Sequence, residues 1–349
     1  MTDAPPSENG QNRWKQWKQG LPTWTGALVA LVLLVVFTAL LNPTFLKPEN
    51  LFNILRQWSF VGIIAIGMTF VIIQGGIDLS VGSLLAFLGG LGILGLNGIL
   101  EAGAPEGVAV LCSFGIMLAV GALAGGLNGI LITRGRLAPF IATLGGLAAY
   151  RSLALAMVDG GEYRSRSDAL FARLGAGGIP VPGTNMAPRA PEPIPLLVPW
   201  PVIVFLLIAL IAHILLTRTR YGRYVIAIGC NERAAVYSAI NVDRIKLLTY
   251  TFTGFVTGVS AMLLASRMNS VSSSGTGLLY ELDVIAAVVI GGTRMRGGAG
   301  TIAGTVIGVL ILGVVGNMLN LLQVSPYLQG LVKGVIIIGA VLVQRRGRE

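Results

Sequence analysis

Apolar residues in this chain gather into long unbroken runs separated by short polar breaks. The runs fall at about 21–41, 54–74, 79–100, 107–132, 138–158, 199–217, 247–267, 281–292, 299–321 and 326–343. Most hold about 20 residues, the length at which a helix rising about 1.5 Å per residue crosses a hydrocarbon core of roughly 30 Å. Backbone groups in lipid must be satisfied internally. The runs therefore predict an all-α polytopic membrane protein, a transmembrane helix bundle of about ten spans. Two spans are weaker than the rest: 54–74 is followed by a turn without a basic residue, and 281–292 is too short to cross unaided.

Composition agrees with the pattern. The chain is 54% hydrophobic and 11% charged, with a mean hydropathy of +0.78. Glycine supplies 48 of 349 residues, about twice the usual share of ~7%. Many glycines recur every fourth residue, as in Gly121, Gly125 and Gly129, or Gly300, Gly304 and Gly308. That spacing predicts close helix packing in lipid.

A net charge of +10 would suit a nucleic-acid partner, but its distribution excludes that reading. Most cations border apolar runs, where they fix orientation. Residues 1–20 and 344–349 read as cytoplasmic tails flanking a membrane domain over 21–343, so both termini are expected inside. Trp14, Lys15, Trp17 and Lys18 read as an interfacial anchor. The first apolar run is too long for the h-region of a cleaved signal. Residues 159–198 form the one extended outer loop. Half of the 16 prolines lie between Pro180 and Pro201, which predicts a semi-rigid cap of irregular structure. Cys112 and Cys230 lie in unlike surroundings, and no disulfide is expected between them.

Residues 218–246 form a polar island holding six of the 25 Lys and Arg residues. Within it the spacing predicts a turn at Gly229, an Asn231 cap and a short helix carrying Glu232 and Arg233. Ala234, Ala235, Ser238 and Ala239 give this helix a smooth face; Arg233, Val236, Tyr237 and Ile240 give it a bulky one. The smooth face is the expected contact with a cytoplasmic partner, and Asp243 is the expected cap of the following span.

Catalytic chemistry has little material. His213 is the single histidine, so a His-based triad or metal cluster is not expected. No lysine follows a glycine, which excludes the P-loop motif. What remains are polar residues set among apolar ones: Gln74 and Asp78 in one break, Glu281 and Asp283 opening a short run, Thr293 closing it, and Asn128 and Asn317 within spans. Ionisable groups in a membrane are costly and mark water-filled paths or buried partners. These seven are the candidate translocation path. Asp78 reads otherwise as a helix cap or a partner for Lys333, and Glu281 and Asp283 as residues of the outer interface.

Three stretches together resemble the membrane permease subunits of ribose, xylose and arabinose type ATP-binding-cassette importers. They are Gly75-Gly76-Ile77-Asp78-Leu79-Ser80-Val81-Gly82-Ser83, the segment from Gly222 through Gly229, Asn231, Ala234 and Ala235 to Arg244, and Gly291-Gly292-Thr293 with Gly297-Gly298 and Gly304-Thr305. The likeness covers about Asn50 to Val343. It implies a permease of the bacterial inner membrane that is itself no enzyme and holds no cofactor. ATP and Mg would sit on a cytoplasmic ATPase subunit. A periplasmic sugar-binding protein and a second permease copy are the other implied partners. Region 229–240 would be the coupling helix that seats on the ATPase. Cys230 stands where the family has a second glycine, Ala239 where Ser-Gly-Ile is common, and Arg294 and Arg296 add charge. A secondary transporter using Asp78 as an ion site and a passive channel are the alternatives, and neither needs the 229–240 helix.

Overall fold

A computed structural model describes residues 24–167, 169–184 and 195–346. The tail over 1–20 with its tryptophan–lysine anchor, the middle of the proline-rich loop and residues 347–349 lie outside them. Helix α1 (Thr25–Leu41) leads through a short 3-10 turn, Pro43–Leu46, to α2 (Pro48–Ile73). The proline at the first position of α2 needs no N–H there and presets the helical φ. Helices α3 (Val81–Glu101), α4 (Glu106–Thr133) and α5 (Pro139–Ala156) follow, and then the outer loop.

The outer loop is more ordered than its prolines predict. It contains β1 (Glu162–Arg164), α6 (Leu170–Ala176), β2 (Gly178–Pro180) and β3 (Leu197–Pro199). Beyond it lie α7 (Trp200–Arg218), α8 (Arg220–Cys230), α9 (Glu232–Tyr237), α10 (Val242–Met268) and β4 (Ser270–Ser272). Strands β2 and β3 pair with each other, whereas β1 pairs antiparallel with β4, placing Tyr163 opposite Val271. Tyr163 is buried, and its hydroxyl donates to the Ala154 carbonyl at 2.6 Å. A distant strand thus supplies the order that the loop's own composition lacks. The chain closes with α11 (Tyr280–Ile290), α12 (Ile302–Leu321) and α13 (Pro326–Arg346).

Seven of these helices (α2, α3, α4, α5, α7, α10 and α12) are long and apolar enough to cross a membrane. Helix α1 has 17 described residues and α13 has 21. The insecure run at 54–74 proves to be the centre of the bundle: 89% of its most apolar window is buried, and every residue from Trp58 to Ile73 is inside. The short run at 281–292 is an 11-residue helix, about 16 Å long and so roughly half a span.

Glycine decides how closely the helices approach. Along the α4–α10 seam, Gly121 and Gly125 meet Gly254, and a Cβ on Gly125 would collide with the Tyr250 carbonyl oxygen. Between α11 and α12, Gly304 and Gly308 meet Gly291 and Ala287 in the same way. The four-residue spacing therefore does what it predicts. Hydroxyls finish the interior: Thr69 and Thr305 share a 2.6 Å hydrogen bond between α2 and α12, and Ser260 donates to the Phe60 carbonyl at 2.8 Å. Gly254→Leu should lower the thermal midpoint of the detergent-purified protein markedly, since overpacking costs about 1–3 kcal/mol or more. Gly115→Leu, where a Cβ meets nothing within 4 Å, should leave the midpoint near wild type in the same assay.

Candidate functional site

Between α2 and α3 the chain leaves helical form for residues 74–80. Gly75 makes the departure with φ of +85°, a conformation that only glycine adopts without strain. A Cβ on Gly76 would come within 2.6 Å of the Tyr250 hydroxyl. That hydroxyl donates to the Ile77 carbonyl at 3.3 Å, and Thr143 does so at 3.5 Å. The unwound segment is thus held in part from α10 and α5.

Asp78 is 2% exposed. One carboxylate oxygen accepts the Ser80 N–H at 2.9 Å and the Ser80 hydroxyl at 2.6 Å, and the Asn128 amide donates to that same hydroxyl at 3.0 Å. Asp78 thus closes a turn onto Ser80; the N-cap of α3 is Ser80 itself, with no side-chain capping bond, and not Asp78 as one reading of the sequence has it. The alternative pairing with Lys333 is not made: Lys333 bonds both oxygens of Asp283, at 2.8 and 3.0 Å, with its ammonium 5.3 Å from the Trp58 ring centre. Asp283 and Lys333 sit on α11 and α13 and pair with each other, so geometry overrides the guess made from charge alone. Gln74 is 5% exposed, and its amide has no hydrogen-bond partner among the described residues.

Glu281 and Asp283 open α11, and Gly82 packs against the Glu281 carboxylate and the Gly277 carbonyl. Gly82 belongs to the first turn of α3, only two residues beyond Ser80. Glu281 therefore lies beside the start of α3. Asn317 stands apart from both groups, exchanging amide hydrogen bonds of 2.7 and 3.0 Å with Asn50 at the start of α2. Thr293 is fully buried beside Gly300. The seven path candidates thus divide: Gln74, Asp78 and Asn128 surround the α2–α3 break, Thr293 lies beneath the end of α11, Glu281 and Asp283 begin that helix, and Asn317 closes the α2–α12 contact.

The polar island assembles differently from its pattern. Gly229 is not a turn but part of the last turn of α8, packed where a side chain would strike the Ile73 carbonyl. The Gly298 N–H donates to that same carbonyl at 2.8 Å. Gly297 and Gly298 have φ of +85° and +78°, and the Cys230 sulfur lies 3.6 Å from the Gly298 carbonyl. Asn231 caps α9 as expected, accepting the Ala234 N–H at 3.1 Å. The next helix is capped by Asn241, which accepts the Arg244 N–H at 3.0 Å, and not by Asp243. Lys246 pairs with Glu232 at 2.8 Å, while Arg233 is exposed. Ser238 donates to the Ala234 carbonyl at 2.9 Å.

The smooth face of α9 is divided: Ala234, Ser238 and Ala239 are exposed, and only Ala235 turns inward. Ala235, the centre of the smooth face, is 3% exposed and packs onto the chain itself, whereas Tyr237 is 90% exposed and Val236 56%. A small side chain allows the short helix to sit against its own bundle, which leaves the bulky residues outward. Sequence reasoning missed the Ile73 carbonyl, Tyr250 and Asn50. Tyr250, a hydroxyl within an apolar run, was a visible signal. A backbone carbonyl gives none.

A glycine-packed helical bundle with two broken elements and an outward-facing knob on its basic side defines a polytopic membrane permease. The chain belongs to the family described as branched-chain amino acid transport system / permease component, which matches residues 50–341. It is 41% identical to a ribose import permease protein of Bacillus subtilis (strain 168), covering 92% of each chain. It is 40% identical to a ribose import permease protein of Escherichia coli (strain K12), covering 92% of this chain and 93% of that one. A xylose transport system permease protein of the latter organism is 31% identical, covering 97% and 95%. No solved structure matches the chain. The protein is therefore a multi-pass inner-membrane permease subunit and not an enzyme, and its family works with an ATPase and a substrate-binding protein.

Asp78→Asn should keep the turn onto the Ser80 N–H, since Asn forms such turns as Asp does, and should melt close to wild type with only partial loss of uptake. Asp78→Ala strands the Ser80 N–H and should cost about 1–3 kcal/mol, read as a lower thermal midpoint. Abolished uphill uptake in a stably folded Asp78→Asn protein would instead assign the carboxylate to proton coupling.

Proposed function

We propose that the chain forms the translocation path of an ATP-binding-cassette importer for a monosaccharide or polyol, delivered by a periplasmic binding protein to a permease homodimer. The observation that carries this reading is the meeting of Gly229, Gly298 and the end of α2 around one carbonyl. A push on α9 passes through the last turn of α8 into the very residue that precedes the unwound strand. A channel or an ion-coupled carrier has no use for such a linkage. Force generated outside the chain does.

The substrate class follows from what the break offers. An amino acid would carry an ammonium and a carboxylate into the site. The carboxylate of Asp78 is already engaged by Ser80 and that of Asp283 by Lys333. A sugar needs only hydroxyl partners, and the unpartnered amide of Gln74 is one. Relatives named for ribose and xylose import support the same class. ATP and Mg belong on the partner ATPase, and α9 presents Tyr237 and Val236, flanked by Arg233, as the surface that seats there.

Proteoliposomes should accumulate ribose or a related sugar only when the ATPase, ATP and the binding protein are all supplied; uptake by this chain alone would refute the proposal. In that assay Gln74→Leu should reduce uptake about tenfold or more while raising the thermal midpoint. It removes both a substrate contact and a buried unsatisfied amide worth about 1–3 kcal/mol.

Coupling is tested separately on α9. Tyr237→Ala should leave the permease folded but weaken co-purification of the ATPase about tenfold or more, as loss of an exposed aromatic anchor does. Ala235→Trp should instead lower the thermal midpoint, because the bulk meets the chain's own interior. A destabilised Tyr237→Ala protein with a fully docked ATPase would reverse the assignment of the two faces.

A further inference from the structure

Two adjoining cavities open beside the basic end of α7. The larger, about 350 Å³, is an apolar groove whose walls include Trp24, Ala209, Ala303 and Val306. The smaller, about 260 Å³, is bordered by Arg223, Ile226, Thr217 and Thr301. His213 and Ile302 line both, so the two make one amphipathic trough. Its apolar half lies one helical turn further along α7 and α12 from the basic island. Its cationic half is walled by α8 itself. Trp24, at the start of α1, marks the interfacial level where tryptophans gather.

The trough selects for a particular chemistry. Arg223 is exposed and makes no ion pair among the described residues. The nearby carboxylate Glu232 is already held by Lys246 at 2.8 Å. Arg218 and Arg220, both exposed, lie within five residues of Arg223 in the chain, so this stretch is rich in cations. The Thr301 hydroxyl accepts the Gly304 N–H at 3.0 Å and keeps its own proton to donate. A soluble anion would use the head of this trough but not its apolar continuation, and a neutral acyl chain would use only the groove. A molecule with a phosphate head and a hydrocarbon tail uses both, and clustered arginines at the cytoplasmic surface favour anionic lipid.

We propose that the trough between α7, α8 and α12 binds an anionic phospholipid of the cytoplasmic leaflet, with its phosphate on Arg223 and one acyl chain along Ala209, Ala303 and Val306. Arg223 and Gly229 belong to the same 11-residue helix. A bound headgroup therefore steadies the element that presses on the Ile73 carbonyl, and the lipid acts as a positive regulator of coupling.

The test uses the whole transporter, purified with its ATPase and supplied with phosphatidylglycerol or phosphatidylcholine. Native mass spectrometry should count one more retained phosphatidylglycerol per wild-type permease chain than per Arg223→Glu chain. Arg223→Lys should retain it. Ala303→Trp, which fills the groove and leaves the head intact, should lose it. In nanodiscs containing phosphatidylglycerol, the two deficient variants should lose severalfold in lipid-dependent ATPase stimulation. Equal retention of phosphatidylcholine would refute the charge selection, and displacement by millimolar inorganic phosphate would make the site one for soluble anions. Unchanged lipid number in both Arg223→Glu and Ala303→Trp would give the trough to another occupant, residues 1–23 or a second copy, and overturn the proposal. Lipid retention is read without sugar or nucleotide, so its failure leaves the transport reading standing.

Discussion

The carbonyl of Ile73 is an ordinary orphan of a helix C-terminus, one of the last four that find no partner within the helix. In a soluble protein water would satisfy it. Here it is buried among apolar elements, and the Gly298 N–H fills the role at 2.8 Å. That single requirement draws the segment after α11 down against α2. It forces positive φ at Gly297 and Gly298 and leaves room beside them only for a residue without a side chain, Gly229. The order of the bundle around the break, and the route by which α9 reaches it, both depend on this contact.

Around that junction two kinds of contact divide the work. Glycine seams between α4 and α10, and between α11 and α12, bring backbones together where lipid offers no hydrophobic driving force and close packing supplies the attraction. Buried hydroxyls and amides satisfy one another or nearby carbonyls, as Thr69 with Thr305 and Ser80 with Asn128 do. Rigid seams of this kind transmit displacement without absorbing it. The compliant elements are the unwound residues 74–80 and the half-span α11, where helical hydrogen bonding is interrupted.

The ion pair of Asp283 with Lys333 has a different character. It is partly exposed, at 16% and 27% of the side chains, and is shared with the Trp58 ring. It ties the last helix to the half-span, which otherwise packs mainly on α12 and α2. A pair of this kind fixes orientation more than it adds stability, because desolvating both charges offsets much of their attraction.

The sequence by itself determined whatever depends on local composition and short spacing. Apolar runs of span length fixed the helices, and the four-residue glycine rhythm fixed which faces pack. Asn231 before Glu232 fixed the cap of α9. Contacts between residues far apart in the chain were left to the tertiary structure. Lys333 and Asp78 looked like partners because both were lone charges in apolar surroundings, yet the fold carries Lys333 to Asp283. The smooth residues in and after α9 looked alike, yet the fold seats Ala235 of this six-residue helix on its own protein and leaves Ala234 and Ser238 exposed. The outer loop looked irregular, yet its first strand pairs with β4, over a hundred residues later, and β2 and β3 pair with each other across its prolines. The three glycine stretches could be recognised one by one, but only folding brings them to a common backbone oxygen. A carbonyl is present in every residue, so the sequence carries no mark of the one that matters.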